Sequence, residues 1–185
     1  MLKLSIHLDP KNKDANYHLG NVYENGLGVP INVFMALKFY KKAMKLGHLK
    51  SQTKIAIALY NGYPELFEKN EKKAIEMLED SAKKDEPDAL NYLALLLEKG
   101  TKSVRQDRQK SMEFYKKAHE KGHDYASLNL ALSLISIPKT SREEDDKYKE
   151  FLHISAKRGN EYAKMLDEHL LSKEKRIAKS IISFK

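Results

Sequence analysis

The chain has 185 residues, of which 41% are hydrophobic and 32% are charged, and its formal net charge is +8. This length suits one compact domain or one short repeat array, and the apolar fraction suffices for a continuous core. Because cysteine is absent, disulfides, thiolate metal sites and cysteine nucleophiles are excluded. No apolar run reaches the roughly 18 residues of a membrane helix, and the start lacks a signal-peptide pattern. These features favour a soluble, cytoplasmic protein and leave its compartment open.

Residues 1–12 have the pattern of the last turns of a helix followed by the link Asp9-Pro10-Lys11-Asn12. This helix has no partner helix before it in the sequence. We therefore interpret it as the end of a preceding repeat unit and expect the chain to be a piece of a longer array. A short N-terminal cap is the alternative.

From residue 13 onward, three kinds of landmark recur with a period of about 37 residues. A small residue opens the first helix of each pair, a Gly lies in the loop between the paired helices, and a Gly or Asp ends the second helix. The three series are Ala15, Ser51, Ala89, Ala126 and Ala163, then Gly26, Gly62 and Gly100, then Gly47, Asp85, Gly122 and Gly159. A shared period predicts stacked helix pairs over 13–47, 48–85, 86–122 and 123–159, plus the start of a fifth before residue 170.

Small residues also recur inside the predicted helices, where they let neighbouring helices approach closely. In the first helices they are Gly20, Ala56, Ala94 and Ala131, and in the second helices they are Ala43, Ser81, Ala118 and Ser155. Between them, apolar residues follow three- and four-residue spacing, as on one face of an amphipathic helix.

Residues 126–135 disagree locally with the repeat, because Leu128, Leu130, Leu132 and Leu134 alternate with smaller residues as in a strand. The period places this stretch on a first helix, and we expect a helix there. Since its apolar residues surround more than one face, it should be nearly buried or expose apolar side chains on the inner wall.

Residues 170–185 predict a basic amphipathic helix, with apolar pairs at 170/171, 177/178 and 181/182 and a basic opposite face. Such a terminal helix typically caps a helical repeat array by covering its last apolar face. Binding to a membrane surface is the alternative.

The first unit contains a spaced pattern of small, aromatic and glycine residues, which are Ala15, Leu19, Gly20, Tyr23, Gly26, Gly28 and Val29, then Ala36, Tyr40, Lys42, Ala43 and Gly47. At these residues the unit resembles the Sel-1-like repeat, a relative of the tetratricopeptide repeat. The resemblance, over about residues 14 to 165, implies an all-α fold. It would be a right-handed α-solenoid of stacked helix-turn-helix repeats, with about ten helices counting both ends.

The later units follow the family pattern less closely, with Ser51 for the opening Ala in the second and Pro138 for the loop Gly in the fourth. Family members are interaction scaffolds and adaptors, which implies a non-enzymatic protein without cofactor or metal. One secreted branch is cysteine-rich and linked to β-lactam binding. The absence of cysteine gives that branch little weight here.

The string His119-Glu120-Lys121-Gly122-His123 matches the H-E-x-x-H zinc-protease pattern. That chemistry needs both His on one face of a continuous helix. Gly122 lies at the helix-ending position of the repeat, so we expect the helix to stop between the two His and the rings to point apart. The string should therefore bind no zinc.

Three S-x-x-K strings, at 51–54, 81–84 and 172–175, resemble part of a penicillin-binding signature. The chain lacks convincing S-D-N and K-T-G partners, and a Lys-rich sequence produces such strings by chance. We therefore expect no catalytic residue among them.

The first helices of such an array line its concave face, which is the predicted site for a segment of another protein. The period places a set of aromatic, aliphatic and amide side chains there, pointing away from the core between the helices. The predicted partner-binding residues are Tyr17, Asn21, Glu24, Ile57, Tyr60, Asn61, Asn91, Leu95, Tyr125 and Leu128.

Two other functions stay open at this point. One is a hydrolase of the β-lactam-interacting branch, which would need a base, a nucleophile and an oxyanion site in one pocket. The other is binding of nucleic acid or a membrane surface through the basic tail. Lys residues are spread along the whole chain, which does not favour a focused phosphate-binding stripe.

The small residues supply a test of the predicted register. Ala118→Leu inserts three carbons into a tight helix crossing, and such overpacking costs about 1–3 kcal/mol of unfolding free energy. Thermal unfolding of the variant measures the loss. An unchanged melting temperature would show that the register of the third unit is wrong.

Overall fold

The structure, a computed structural model, describes residues 10–63, 66–123, 125–135 and 142–183, and leaves the side chains of 142–145 and 174–183 undescribed. These ranges contain nine helices, which are α1 (Lys13–Asn25), α2 (Val33–Lys45), α3 (Leu49–Asn61), α4 (Glu71–Lys83), α5 (Pro87–Lys99), α6 (Arg108–Glu120), α7 (Ala126–Ile135), α8 (Arg142–Lys157) and α9 (Glu161–Ser183). No strand occurs among the described residues, so the predicted all-α class is confirmed. The expectation for residues 1–12 falls almost wholly outside the description.

Each helix packs against its neighbours in the chain, with odd-numbered helices joined most extensively to the even-numbered helix that follows. The core continues from one pair to the next. One buried cluster, for example, joins Tyr40 of α2 to Ile55 of α3 and Ala74 of α4. This consecutive packing produces the predicted helical repeat solenoid.

The helices begin where a polar side chain accepts a hydrogen bond from a backbone N–H three residues later. In α1, Asn12 Oδ1 accepts from Ala15 N at 2.8 Å. Such an N-cap satisfies one of the N–H groups that a helix start leaves without an internal partner. The capping residues are Asn12, Asn32, His48, Asn70, Glu86, Asp107, His123 and Asn160.

The even-numbered helices end on backbone in the left-handed region, as the landmark series predicts. Gly122 has φ +82° just after α6, and this ends the helix between His119 and His123 as expected. Asp85 holds the same place after α4 with φ +58°, where an L side chain is strained. Its carboxylate receives a 2.8 Å ion pair from Lys121 Nζ.

The small residues are buried between packed helices, as predicted. Ala43 and Ala118 are fully buried. At Gly20, a Cβ atom would fall inside contact distance of the Tyr40 ring, which is itself 1% exposed. The Tyr40 ring therefore leaves no room for a side chain at position 20.

Residues 126–135 form the helix α7 and not a strand, so the repeat period predicted this segment correctly. The helix is nearly buried, since six of its ten residues are buried. Leu132 and Ile135 remain partly exposed. Burial on several sides is the reason that its apolar residues do not follow a one-face helical pattern.

The boundary predicted at residue 170 is wrong, because α9 continues from Glu161 to Ser183 without interruption. No Gly or Pro occurs in this stretch to end a helix. Ala163 packs against the preceding unit, but the exposed Glu168 holds the position of the small residues in earlier first helices. Among the described residues, no helix is long and apolar enough to cross a membrane.

Asp85 supplies a test of helix termination. We expect Asp85→Gly to unfold at a slightly higher temperature, because relief of the left-handed backbone is worth about 1 kcal/mol and an exposed ion pair less. Asp85→Ala loses the same ion pair while keeping a Cβ, and should be about 1 kcal/mol less stable than the Gly variant. Equal stability of the two variants would contradict this account.

Candidate functional site

The first helices of the second, third and fourth units, α3, α5 and α7, line an open groove of about 590 Å³. Its wall mixes aliphatic, aromatic, amide and charged side chains. The lining residues are Lys50, Thr53, Lys54, Ile57, Pro87, Asp88, Asn91, Tyr92, Leu95, Lys121, Gly122, His123, Tyr125 and Asn129.

Two amide side chains meet at the floor of the groove. Asn129 Nδ2 donates a 2.8 Å hydrogen bond to Asn91 Oδ1, which joins α7 to α5. Asn91 is only 8% exposed, yet its own Nδ2 makes no bond to another described residue. The floor thus presents a free donor on Asn91 and a free acceptor on Asn129 Oδ1.

The charges along the groove are mainly cationic. Lys50 is exposed and makes no ion pair with any described residue. Lys54 holds Glu24 across the unit boundary, with Nζ 2.9 Å from both carboxylate oxygens. The acidic group of the lining, Asp88, faces His123 Nε2 at 3.4 Å.

Beneath the groove, Glu86 joins the second unit to the third. Its Oε2 accepts hydrogen bonds from Thr53 Oγ1 at 2.7 Å and Ala89 N at 2.8 Å. Burial raises the pKa of Glu86, although the bond from Thr53 opposes the shift. Thr53 is therefore buried in this joint.

Two unit boundaries carry the same histidine joint. His48 Nδ1 accepts from Ser51 N at 3.1 Å, and its Nε2 lies 3.7 Å from Asp14 of the preceding unit. His123 Nδ1 likewise accepts from Ala126 N at 3.1 Å. Because Nδ1 accepts in both, the capping imidazole is neutral and carries its proton on Nε2.

Asp14, His48 and Ser51 have the residue types of a serine-hydrolase triad, but their geometry is that of a helix cap. Ser51 is fully buried, so a substrate cannot reach its hydroxyl. His123 forms the same cap with Ala126 in place of the serine. The same cap therefore forms without a serine hydroxyl.

The two His of the H-E-x-x-H string have separate surroundings. His119 Nδ1 lies 2.7 Å from Ser127 Oγ, and its ring packs edge-on to Phe151. Burial and then the charge of Arg158 lower the pKa of His119. His123 instead caps α7 and faces Asp88, so the two rings bond to different partners. No group of three potential metal-ligating side chains occurs among the described residues.

In the first unit, the predicted partner-binding residues are engaged within the chain. Tyr17 stacks on His48 with ring centroids 4.3 Å apart. Tyr40 Oη lies 2.7 Å from both Asn21 Oδ1 and Glu24 Oε2, and its single proton serves one of them at a time. Burial and the Glu24 carboxylate raise the pKa of Tyr40.

In the later units, the structure brings four predicted residues together along the groove, which are Ile57, Asn91, Leu95 and Tyr125. Tyr60 lies outside the lining and packs against the cores of two units, edge-on to Tyr92. Asn61 is exposed at the end of α3, also outside the lining.

The expectation that Leu128 points outward is wrong. Leu128 is 6% exposed and packs with Tyr148, Leu152 and Ala163. Asn91 holds the equivalent repeat position in α5, where it borders the groove. Leu128 is buried instead because α8 and α9 pack over this side of α7.

Several lining residues were not predicted, among them Lys50, Lys54, Tyr92 and Asn129. Lys54, Tyr92 and Asn129 lie three residues after the opening residue of their helices. The repeat period shows that these three residues hold equivalent positions, but only the packing of the helices decides that they border the groove.

The paired helices and the open groove along their first members define a helical-repeat protein. The family model of the Sel1 repeat matches residues 13–48, 49–86 and 87–123, more than half of the chain. The chain therefore belongs to the Sel1 repeat family, as the residue pattern predicted. A comparison with curated protein sequences finds no match.

Solved structures share the fold. A protective antigen of uropathogenic Escherichia coli with an SLR fold is 25% identical, with a TM-score of 0.71, covering 89% of this chain and 34% of its own. A Sel1 repeat protein from Oxalobacter formigenes is 22% identical, with a TM-score of 0.71 and coverages of 89% and 66%. An immunity protein from Pseudomonas aeruginosa is 19% identical, with a TM-score of 0.60 and coverages of 86% and 57%. The chain spans less than two-thirds of each.

The neutral histidine cap at His48 predicts a loss of stability in mild acid. Burial, opposed by the Asp14 charge, lowers the pKa of His48 below 6.5 in the folded chain. The unfolded chain therefore takes up the proton first, and stability present above pH 6.5 falls as the pH drops.

His48→Asn keeps an acceptor at the helix start, as Asn12 and Asn160 do, but cannot titrate. Urea unfolding at pH 7 and about pH 5.5 should show a smaller loss of unfolding free energy for this variant than for the wild type. Glu86 and His119 are present in both proteins, so their contributions to the pH dependence of unfolding cancel in the comparison. Equal losses would show that protonation does not disturb the His48 cap.

Proposed function

We propose that this chain is a non-catalytic scaffold that binds a segment of another protein in the groove along α3, α5 and α7. Sel1 repeats are generally protein-interaction modules. The observation that carries the proposal is the groove itself, which is open and lined by first helices that keep free apolar and polar groups.

Three side chains of the lining supply apolar contact area. Tyr125 is 60% exposed at the groove, and a Tyr combines a large contact area with a hydrogen bond. Ile57 lies in the groove wall outside the buried core clusters. Leu95 is half-buried and contacts the core of the third and fourth units. A partner side chain inserted between them would bury apolar surface that the chain alone leaves in water.

The alternatives have less support. A hydrolase needs an accessible nucleophile, whereas the two described serines that contact the ring of a histidine, Ser51 and Ser127, are fully buried. Binding of nucleic acid or membrane through the basic tail rests on side chains beyond residue 173, which lie outside the description.

Truncation of the exposed anchors tests the proposal. Partners are captured with a photo-crosslinking residue at position 125, and the same residue at Leu27 serves as the control, since Leu27 is 62% exposed in the α1–α2 loop. For a partner crosslinked only from position 125, Ile57→Ala and Tyr125→Ala should each weaken binding by about 1–2 kcal/mol.

The two truncations should leave the unfolding temperature nearly unchanged, because neither side chain belongs to a buried cluster. Tyr60→Ala, by contrast, should lower it, since Tyr60 packs against two cores. Equal binding by the groove variants and by Leu27→Ala, measured by titration calorimetry, would place the interaction elsewhere on the chain.

A further inference from the structure

We propose that the groove binds an extended peptide segment in which acidic and apolar residues alternate. This inference rests on the proposed function and specifies its partner. It is carried by three features of the lining: the amide pair on the floor, the uncompensated cationic charge, and the apolar side chains beside them.

The amide pair favours an extended backbone. Asn91 Nδ2 and Asn129 Oδ1 are left as a donor and an acceptor on neighbouring helices after the bond between the two side chains is made. Asn91 Nδ2 has no hydrogen-bond partner among the described residues, so a carbonyl oxygen placed against it would form a bond that the chain itself does not supply. An extended segment offers a free C=O and N–H to these groups, whereas the backbone of a helix is already paired internally.

The charges favour acidic side chains. Lys50 is exposed and makes no ion pair with a described residue. Lys121 pairs with Asp85, but both side chains are about half exposed, and an exposed pair exchanges readily for another carboxylate. Asp88 faces the neutral ring of His123. Among the described lining residues, this one carboxylate stands against Lys50, Lys54 and Lys121, so an incoming carboxylate meets a wall on which cations outnumber acids.

The apolar wall favours aliphatic or aromatic side chains at alternate positions. Ile57 and Leu95 hold equivalent places in α3 and α5, and Tyr125 lies at the start of α7. Successive side chains of an extended segment point in opposite directions. One set faces this wall while the other reaches the lysines, which is why the two residue classes should alternate.

A library of short random peptides displayed on phage, selected on the immobilised full chain, tests the composition. The selected peptides should be enriched in Asp and Glu over Lys and Arg, with apolar residues at every second position. Binding of a selected peptide should weaken as salt is added, because exposed charges are screened.

Methylation of one central backbone nitrogen of that peptide tests the extended conformation on the unaltered protein. Loss of one such hydrogen bond should weaken binding about tenfold. Asn129→Ala removes the acceptor for that N–H and should reduce the sensitivity to this methylation, and its thermal unfolding shows whether the variant is folded.

Lys50→Glu tests the charge, with Lys72→Glu as a matched control. Both lysines are exposed second residues of their helices, α3 and α4, so a carboxylate there has the same effect on each helix start. We expect Lys50→Glu to weaken the acidic peptide about tenfold or more and Lys72→Glu to leave it unchanged.

The outcomes separate this inference from the proposed function. Selected peptides that are basic, helical or insensitive to backbone methylation, yet lose binding with Tyr125→Ala, would overturn the extended acidic segment and leave the groove as the binding site. Selected peptides unaffected by Ile57→Ala and Tyr125→Ala would overturn both.

Discussion

The fold depends on the close approach of helices at a few small residues. The helices of each pair meet at Gly or Ala on one side and at Ala or Ser on the other, and these residues are buried. Larger side chains such as Tyr40 fit only because the facing residue is small. Since the same constraint recurs in each unit, one packing solution repeats along the chain, and the first helices come to lie side by side.

The joints between units connect the stability of the array to the groove. Polar side chains cap each first helix, and His48, Glu86 and His123 do so while contacting the neighbouring unit. His123 and Asp88 also border the groove. The groups that hold the array together therefore shape the charge of the groove, and changes at a joint should affect both the stability of the array and that charge.

The groove lies where the family pattern is least strict. The first unit follows the pattern most closely, and its concave residues are used up in internal contacts, with Glu24 bound to Tyr40 and Lys54. In α3, α5 and α7, fewer of the residues at the corresponding positions are held by contacts within the chain. Repeat positions that are not needed for packing are free to differ among units, which is how one array acquires a local site.

The sequence alone determined the period, the helical class, the small crossing residues and the helix end at Gly122, because these follow from spacing and backbone conformation. It also named Ile57, Asn91, Leu95 and Tyr125. Tertiary structure decided the rest. Leu128 shares the repeat position of Asn91 but is buried, since α8 and α9 cover it, and Tyr17 is stacked on a histidine of the next unit. A repeat phase gives the direction of a side chain, whereas its exposure depends on which residues the neighbouring helices place against it.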